Sequence, residues 1–513
     1  MASLKNITKI EKYQFLGYNS AMKKELKIPK EVQAVIEKLQ GAGSEAYIVG
    51  GCVRDLFLGV KPRDWDVTTS AKPEEILSLF PESFYENKFL TVTIKTGSED
   101  ATLAEIEITT FRAEGKYTDK RHPDEVRFAK TLEEDLSRRD FTINATALDM
   151  SKSSFSVIDP FGGQKDLENR LIRAVGDPEK RFDEDALRMM RVVRFAVELN
   201  FNIEDKTREA VLKLAGNLQF IAKERVRDEL IKILLAKTAK KGIELLHELG
   251  LLKFVIAELE EGIGVENRPK IFTIWEHNLK ALEYGAAHKF PLDVRIAALL
   301  HDVGKPRTKG EMKRDEWTFY GHDVVGAKMA SQILSRLHFP RETVDKIATL
   351  IRWHLFKYDP DEGITDSSIR RLIRHVGAEN MDDLVKVRIC DRMGMGVPKA
   401  LPYRLRHFQF RVEKILREEE IPTPKMLKVK GEDVMRILDI QPGPKVGHVL
   451  EVLLQEVIDK PLNNSREHLE SRIKDLGKLS DGELIQLAEQ AESRVEMLED
   501  QHVSEIKAKY YVK

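Results

Sequence analysis

The spacing of apolar and polar residues changes character once along the chain. From Pro29, EVQAVIEKLQ repeats its apolar residues at helical spacing, and Gly41 to Gly43 ends the run. EAYIVG, WDVTTS, TVTIKTG and AEIEITTFR then read as short strands, with CVRDLFLG as a short helix between the first two, so an α/β region is predicted up to about Arg173. After it, EDALRMMRVVRFAVEL, DKTREAVLKLAGNL, ERVRDELIKILLA and KKGIELLHELGLL each carry the 3.6-residue period. A further helical block from about Pro269 to Val397 holds most of the histidines, and the remainder is helical except at QPGPKVG. The pattern predicts an α+β chain: an aperiodic arm (1–25), a mixed head (26–173), a helical neck and body (174–265), a histidine-rich helical domain (266–400) and a helical tail (401–513).

Composition narrows the setting. The chain has 513 residues, enough for three or four cores. No apolar run reaches the roughly eighteen residues a membrane span needs, and no signal-peptide pattern opens the chain, so a soluble, cytoplasmic protein without membrane partners is expected. Cys52 and Cys390 lack CxxC spacing, which argues against a disulfide framework or a zinc ribbon. Net charge is −1, so any nucleic-acid surface must be local. RRLIRHVG (Arg370 to Gly377) and LPYRLRHFQFRVEK (Leu401 to Lys414) mix cations with aromatics as an RNA site would, or are solvated helix faces.

The sharpest signal is GGCVRDLFLGVKPRDWDVTTSA, from Gly50 to Ala71. On a strand, Asp64 and Asp66 project to one side and repel each other unless a cation lies between. Paired carboxylates with a divalent ion serve nucleotidyl transfer, and Gly50-Gly51 before a short helix bearing Arg54 suits a triphosphate. This stretch, followed by EITTFR, EEDLSRRDFTINA, DPFGGQKDL and RFDEDALRMMRVVRF, resembles class II tRNA nucleotidyltransferases and poly(A) polymerases, a family with a polymerase-β-like head.

The resemblance implies that Asp64 and Asp66 are catalytic and hold Mg²⁺. It implies that Gly51 and Arg54 meet the triphosphate, that Arg139 and Asp140 meet the nucleotide's phosphate and ribose, and that Asn144 supports the pocket. Glu107 is either a third carboxylate or a structural cross-strand partner, and Leu90 stands where the family usually has glycine. Asp185 and Arg188, three apart with Arg191 and Arg194 continuing the row, would accept from the exocyclic amine and donate to the ring of cytosine or adenine, so CTP and ATP are the expected substrates. GKYTDKRHPDEVRF resembles the loop associated with adding a terminal A. CCA addition at a tRNA 3′ end is favoured over A-only or poly(A) addition.

His277, His301-Asp302, His322, His354 and Asp391 follow in the order of an HD-domain metal-dependent phosphohydrolase, whose ligands suit a divalent transition metal of unspecified identity. That resemblance implies phosphatase or 2′,3′-cyclic phosphodiesterase activity, with Lys305 near a phosphate; His288 falls outside the set. The rival readings are an HD hydrolase with a nucleotide-sensing head and a non-catalytic RNA-binding chaperone. In the tail, Gly443 and Gly447 at a helix start either meet an RNA phosphate or form a plain connection, and the last helix suits packing or oligomer contact. No protein partner is predicted, and homo-oligomerisation stays open.

Overall fold

The computed structural model describes residues 26–86, 91–114, 126–151, 155–268, 272–313, 316–356, 358, 365–395, 403–420, 427–459, 461–480 and 482–487. Residues 1–25, Leu90, most of the GKYTDKRHPDEVRF loop and most of the final helix-like stretch lie outside them. The chain divides into two compact units, 1–345 and 346–513, so the histidine-rich block is shared between the two.

The first unit opens with α1 (Lys30–Gly41), β1 (Ala46–Val49), α2 (Gly51–Phe57), β2 (Asp66–Thr69), α3 (Pro73–Leu79), β3 (Ser83–Glu86), β4 (Thr91–Lys95) and β5 (Glu105–Thr110). β6 (Arg112–Glu114), β7 (Val126–Phe128), α4 (Leu132–Ser137), β8 (Ala147–Asp149), β9 (Ser156–Ile158) and α5 (Gly163–Glu168) complete the head. Its seven-stranded sheet runs β3-β4-β5-β2-β1-β8-β9, parallel at β2/β5 and antiparallel elsewhere. The helical stripe of α1 buries Val32, Val35, Ile36 and Leu39 in a core shared with Ile48, Val67, Ile106 and Ile108. Period-two alternation along β5 sends Ile106 and Ile108 inward and leaves Glu105 and Glu107 exposed.

The helices of the neck follow: α6 (Pro178–Glu184), α7 (Leu187–Glu198), α8 (Asp205–Leu214), α9 (Lys223–Leu235) and α10 (Ala239–Glu248). EDALRMMRVVR is not one helix, as its period suggested. Asp185, with extended φ −139° and ψ 102°, ends α6, and α7 begins after Ala186. Beyond α11 (Leu252–Val255) and α12 (Ala257–Glu260) come α13 (Ile274–Ala287), α14 (Leu292–Leu300), α15 (Lys305–Thr308) and α16 (His322–Arg336), with α17 (Arg341–Trp353) containing the division between the units. The second unit holds α18 (Asp366–Val376), α19 (Met381–Gly394), α20 (Tyr403–Glu420), α21 (Gly431–Leu438), α22 (Pro444–Asp459) and α23 (Arg466–Leu476). The last three share a core of Val434, Val449, Leu453, Leu469 and Ile473. Gly443 directly precedes α22 and Gly447 lies in its first turn. Among the described residues no helix is long and apolar enough to cross a membrane, and Cys52 and Cys390 are buried thiols.

Candidate functional site

Asp66 opens β2 opposite Val49 and beside Glu107 of the parallel β5. Asp64 does not share the strand, as the i, i+2 reading supposed; it sits on an exposed bend before it. The strand pairing thus sets two carboxylates, Asp66 and Glu107, side by side, and both line a cavity of about 310 Å³ with Thr91, Thr93, Thr109, Arg112, Arg138 and Arg139. Burial pushes the Asp66 carboxyl up to about 6, helped by repulsion from Asp64 and Glu107 and opposed by Arg139.

The double glycine has a steric reason. Gly50 has φ 84° and ψ −139°, a region closed to L side chains, and a Cβ there would meet Arg139 Nη1 at 3.0 Å and Asp66 Oδ2 at 3.1 Å. Asp66 and Arg139 therefore converge on the turn that starts α2. Arg139 is backed by Asp135, which sequence reasoning did not single out. The Asp135 carboxylate accepts from Arg138 Nη2 (2.7 Å), Arg139 Nη2 (3.5 Å), Thr68 Oγ1 (3.3 Å) and the Arg112 amide (3.3 Å). Burial raises its pKa, but the two arginines prevail and hold it below the usual carboxylate range. The i, i+3 and i, i+4 spacing of Asp135 to Arg138 and Arg139 within EEDLSRRD was the available signal.

A second group of expected residues forms one relay across three elements. Arg54 Nη1 donates to Asn144 Oδ1 (2.9 Å), Asn144 Nδ2 donates to Asp140 Oδ1 (3.1 Å), and Arg191 Nε on α7 donates to Asp140 Oδ2 (2.7 Å). Burial works against the Asp140 charge, yet Arg191 and Asn144 outweigh it and bring the carboxyl to about 2. Asn144 sits on a single tight turn braced by the DPFGG motif. A Cβ on Gly163 would lie 2.2 Å from the Thr142 carbonyl, while Asp166 accepts from Thr142 Oγ1 (2.5 Å) and Arg173 Nε (2.8 Å). Gly51 begins α2 beside the Arg54 guanidinium.

The expected base-reading pair is not a pair here. Asp185, at the end of α6, accepts from Arg225 Nη2 (2.8 Å) and the Leu187 amide (3.0 Å). Arg188 donates to Glu184 (2.8 Å) and to the carbonyls of Arg181 (3.1 Å) and Arg138 (3.0 Å). The helix break at Asp185 and Ala186 takes the carboxylate off the face that Arg188 occupies. Arg194 continues the row but is buried against Glu229 (3.0 Å) and over the Phe195 ring (4.2 Å), a structural position.

In the histidine block of the first unit, His277 on α13, His301 and Asp302 after α14, and His322 opening α16 are all buried. The Nε2 atoms of His277 and His301 lie 3.0 Å apart, each 3.4 Å from Asp302 Oδ2, and His322 Nε2 lies 3.4 Å from Asp302 Oδ1. His301 Nδ1 faces the Ala298 carbonyl (2.8 Å) and His322 Nδ1 the Phe319 carbonyl (2.6 Å). A carbonyl only accepts, so each Nδ1 carries a proton and each Nε2 is the ring atom turned toward Asp302. Lys305 Nζ contacts the same carboxylate at 2.6 Å. Burial alone would raise the Asp302 pKa; His301 and Lys305 hold it well below the carboxylate range. Imidazole nitrogens converging with a carboxylate form a donor set that fits a divalent transition metal. Asp66 and Glu107, side by side on the cavity wall, offer oxygen ligands of the kind that magnesium takes. In the second unit, His354 is buried with Nδ1 on the Ile351 carbonyl (2.6 Å), and Asp391 accepts from Arg388 (2.7 Å). His288 stacks on Tyr284 away from the set.

Three family models match the chain: "Poly A polymerase head domain" over residues 46–173, "Probable RNA and SrmB-binding site of polymerase A" over 200–263, and "HD domain" over 271–394. The A-adding tRNA nucleotidyltransferase of Deinococcus radiodurans is 34% identical over 426 residues, 80% of this chain and 91% of that protein. The CCA-adding enzyme of Leuconostoc mesenteroides is 49% identical over 221 residues, 42% of this chain and 52% of that protein, so that match spans about half of the relative. Among solved structures, the Bacillus stearothermophilus CCA-adding enzyme in complex with CTP superposes with a TM-score of 0.57 at 28% identity, covering 87% of this chain and 98% of that one.

Proposed function

Since the chain belongs to the family of tRNA nucleotidyltransferases and poly(A) polymerases that carry an HD domain, we propose that it builds or repairs the CCA end of tRNA from CTP and ATP. The observation that carries the reading is the head's geometry: Asp66 and Glu107 stand side by side on one cavity whose lining also carries Arg112, Arg138 and Arg139. A divalent ion arriving with a nucleoside triphosphate would relieve the repulsion that Asp64 and Glu107 exert on Asp66, while the arginines would meet the phosphates. When bound, the ion offsets the charge of the triphosphate and acidifies the attacking hydroxyl. Asp64 and Asp66 would hold it, with Glu107 as the third oxygen donor.

The residues of the chain itself do the positioning. The amides of Gly50 and Gly51 and the guanidinium groups of Arg54 and Arg139 face the phosphates, while Asp140, fixed by Asn144 and Arg191, keeps an ionised oxygen for the ribose. The tRNA 3′ oxygen forms the new bond to the α-phosphorus as the bond to pyrophosphate breaks. Asp185 and Arg188 read the base edge after exchanging their partners Arg225 and Glu184 for it. The HD residues His277, His301, Asp302 and His322 would hold a second divalent ion, whose Lewis acidity would serve hydrolysis of a phosphate ester at damaged RNA ends. Lys305 orients that ester.

A-only addition is the second reading, favoured by the 34% identity to an A-adding enzyme. Purified protein given tRNAs ending before CCA, after CC and complete, with each triphosphate separately, decides between them by sequencing the products. Extension of the first substrate by CTP supports CCA addition. Extension only of the second, by ATP, supports the alternative.

A further inference from the structure

The segment that delivers His322 to the HD site also carries three aromatic side chains, Trp317 and Phe319 half-buried and Tyr320 exposed. Tyr320 is 77% exposed, an unusual position for a large ring that holds no core together. Lys313 Nζ lies 5.8 Å from its ring centre. Trp317 is held from one side by its indole N–H donating to Glu266 Oε2 (3.0 Å) and capped by Lys309 Nζ at 3.7 Å. Phe319 faces Lys305 at 5.3 Å, and its carbonyl fixes the His322 tautomer. Between residues 305 and 313 the sequence places four cations, Lys305, Arg307, Lys309 and Lys313, against one acid, Glu311. Arg307 is neutralised by Glu261 and Lys305 by Asp302, which leaves Lys309 and Lys313 to set the local field.

We propose that Tyr320, with Lys313 beside it, is a stacking platform for the terminal base of a single-stranded RNA end, and that the HD site acts on the 3′-phosphate or 2′,3′-cyclic phosphate of that nucleotide. The inference rests on the phosphohydrolase reading of the HD residues and adds the side chain that would hold the base. One residue, Gly321, separates Tyr320 from His322, so their backbones lie within roughly 7 Å. That is comparable with the reach from the base to the 3′-phosphorus of one nucleotide. A base on Tyr320 would therefore bring its own phosphate to Lys305 and the histidines, with no need for the enzyme to grip the rest of the chain. Every base has a π-face, so the platform tolerates any terminal nucleotide, which suits a repair activity. Lysines over rings add a cation that also meets the phosphodiester backbone. A small phosphate ester without a base gains nothing from the platform.

The test uses the full-length protein with p-nitrophenyl phosphate as the baseless substrate and cytidine 3′-monophosphate as competitor. His301→Ala should abolish hydrolysis, which ties the signal to the HD site. Tyr320→Ala should leave kcat and KM for p-nitrophenyl phosphate within twofold, while weakening inhibition by cytidine 3′-monophosphate about tenfold, the discrimination expected of one base–aromatic stack. Tyr320→Phe, which keeps the ring, should restore inhibition. Unchanged inhibition in Tyr320→Ala overturns the platform. Failure of the wild type to hydrolyse either ester with magnesium, manganese, cobalt or nickel defeats the hydrolase reading instead. The platform is then judged by calorimetric titration with cytidine 3′-monophosphate, where binding by the head is common to both proteins. Equal heats for wild type and Tyr320→Ala overturn it, and a loss in the variant upholds it.

Discussion

The head and the HD site each gather acids and bases where a divalent ion would bind, but they solve the charge problem in opposite ways. At the head cavity Asp66 lies beside Glu107, with Asp64 just before it in the chain, and is pushed up to about 6 because burial and these acidic neighbours outweigh Arg139. In the HD site the single carboxylate, Asp302, is held low by His301 and Lys305 despite complete burial. The first arrangement is unfavourable until a cation arrives. The second is already neutralised by the protein. A site that must admit a new triphosphate at each addition gains from lying open and charge-frustrated, whereas a closed imidazole cage can retain an ion between turnovers.

The strongest way to break this comparison is reciprocal substitution. Asp64→Ala should lower incorporation of labelled CTP about a thousandfold or more while p-nitrophenyl phosphate hydrolysis persists; His301→Ala should do the reverse. Loss of both activities in either variant would mean that the sites are not independent. Next in size, Arg191→Ala should destabilise the protein by about 3 kcal/mol in urea unfolding, because it leaves the buried Asp140 charge without its guanidinium. Asp140→Asn in the same chain should recover part of the loss. An unchanged midpoint would remove Asp140 and Arg191 from the relay.

A smaller effect sharpens the contrast in sign. The Asp66 carboxyl is raised in the folded protein, so the native state holds an extra proton between about pH 4 and 6 and stability falls as pH rises through that window. Without divalent ions, Asp66→Asn should therefore stabilise the protein at pH 8 by about 1–2 kcal/mol and have little effect near pH 4. Destabilisation at pH 8 would contradict the frustrated-cluster account. Smallest of all, Arg225→Ala frees Asp185, and should change the preference for C and A over U and G by only a few fold, on the order of one exposed ion pair. Product sequencing with mixed triphosphates reads it.

The sequence made the head legible where chemistry follows local spacing. Gly50-Gly51, Arg54, Asp64 and Asp66 are contiguous enough for one motif to carry them, and β5 alternation put Glu107 among the candidates. The Arg54–Asn144–Asp140–Arg191 relay was legible only as separate residues, because α2, a tight turn and α7 meet through tertiary packing that no spacing encodes. Asp185 was misplaced onto a continuous helix because EDALRMMRVVR keeps its 3.6 period through a break that ends at Ala186, which offers no side-chain cap as a warning. Asp135 went unnoticed because its role is to brace Arg138 and Arg139 from a buried position, and burial of a charge is not visible in a charge-rich motif.

Divalent binding at the head in the presence and absence of nucleotide tests the central claim most directly. Manganese titrated into the protein and followed by electron paramagnetic resonance should show a head site that fills tightly with CTP present and vanishes in Asp66→Asn, alongside an HD site lost in His301→Ala. Manganese binding at the head that is the same with or without CTP, or that survives neutralisation of Asp66, would contradict the account of a carboxylate cluster awaiting the ion of its substrate.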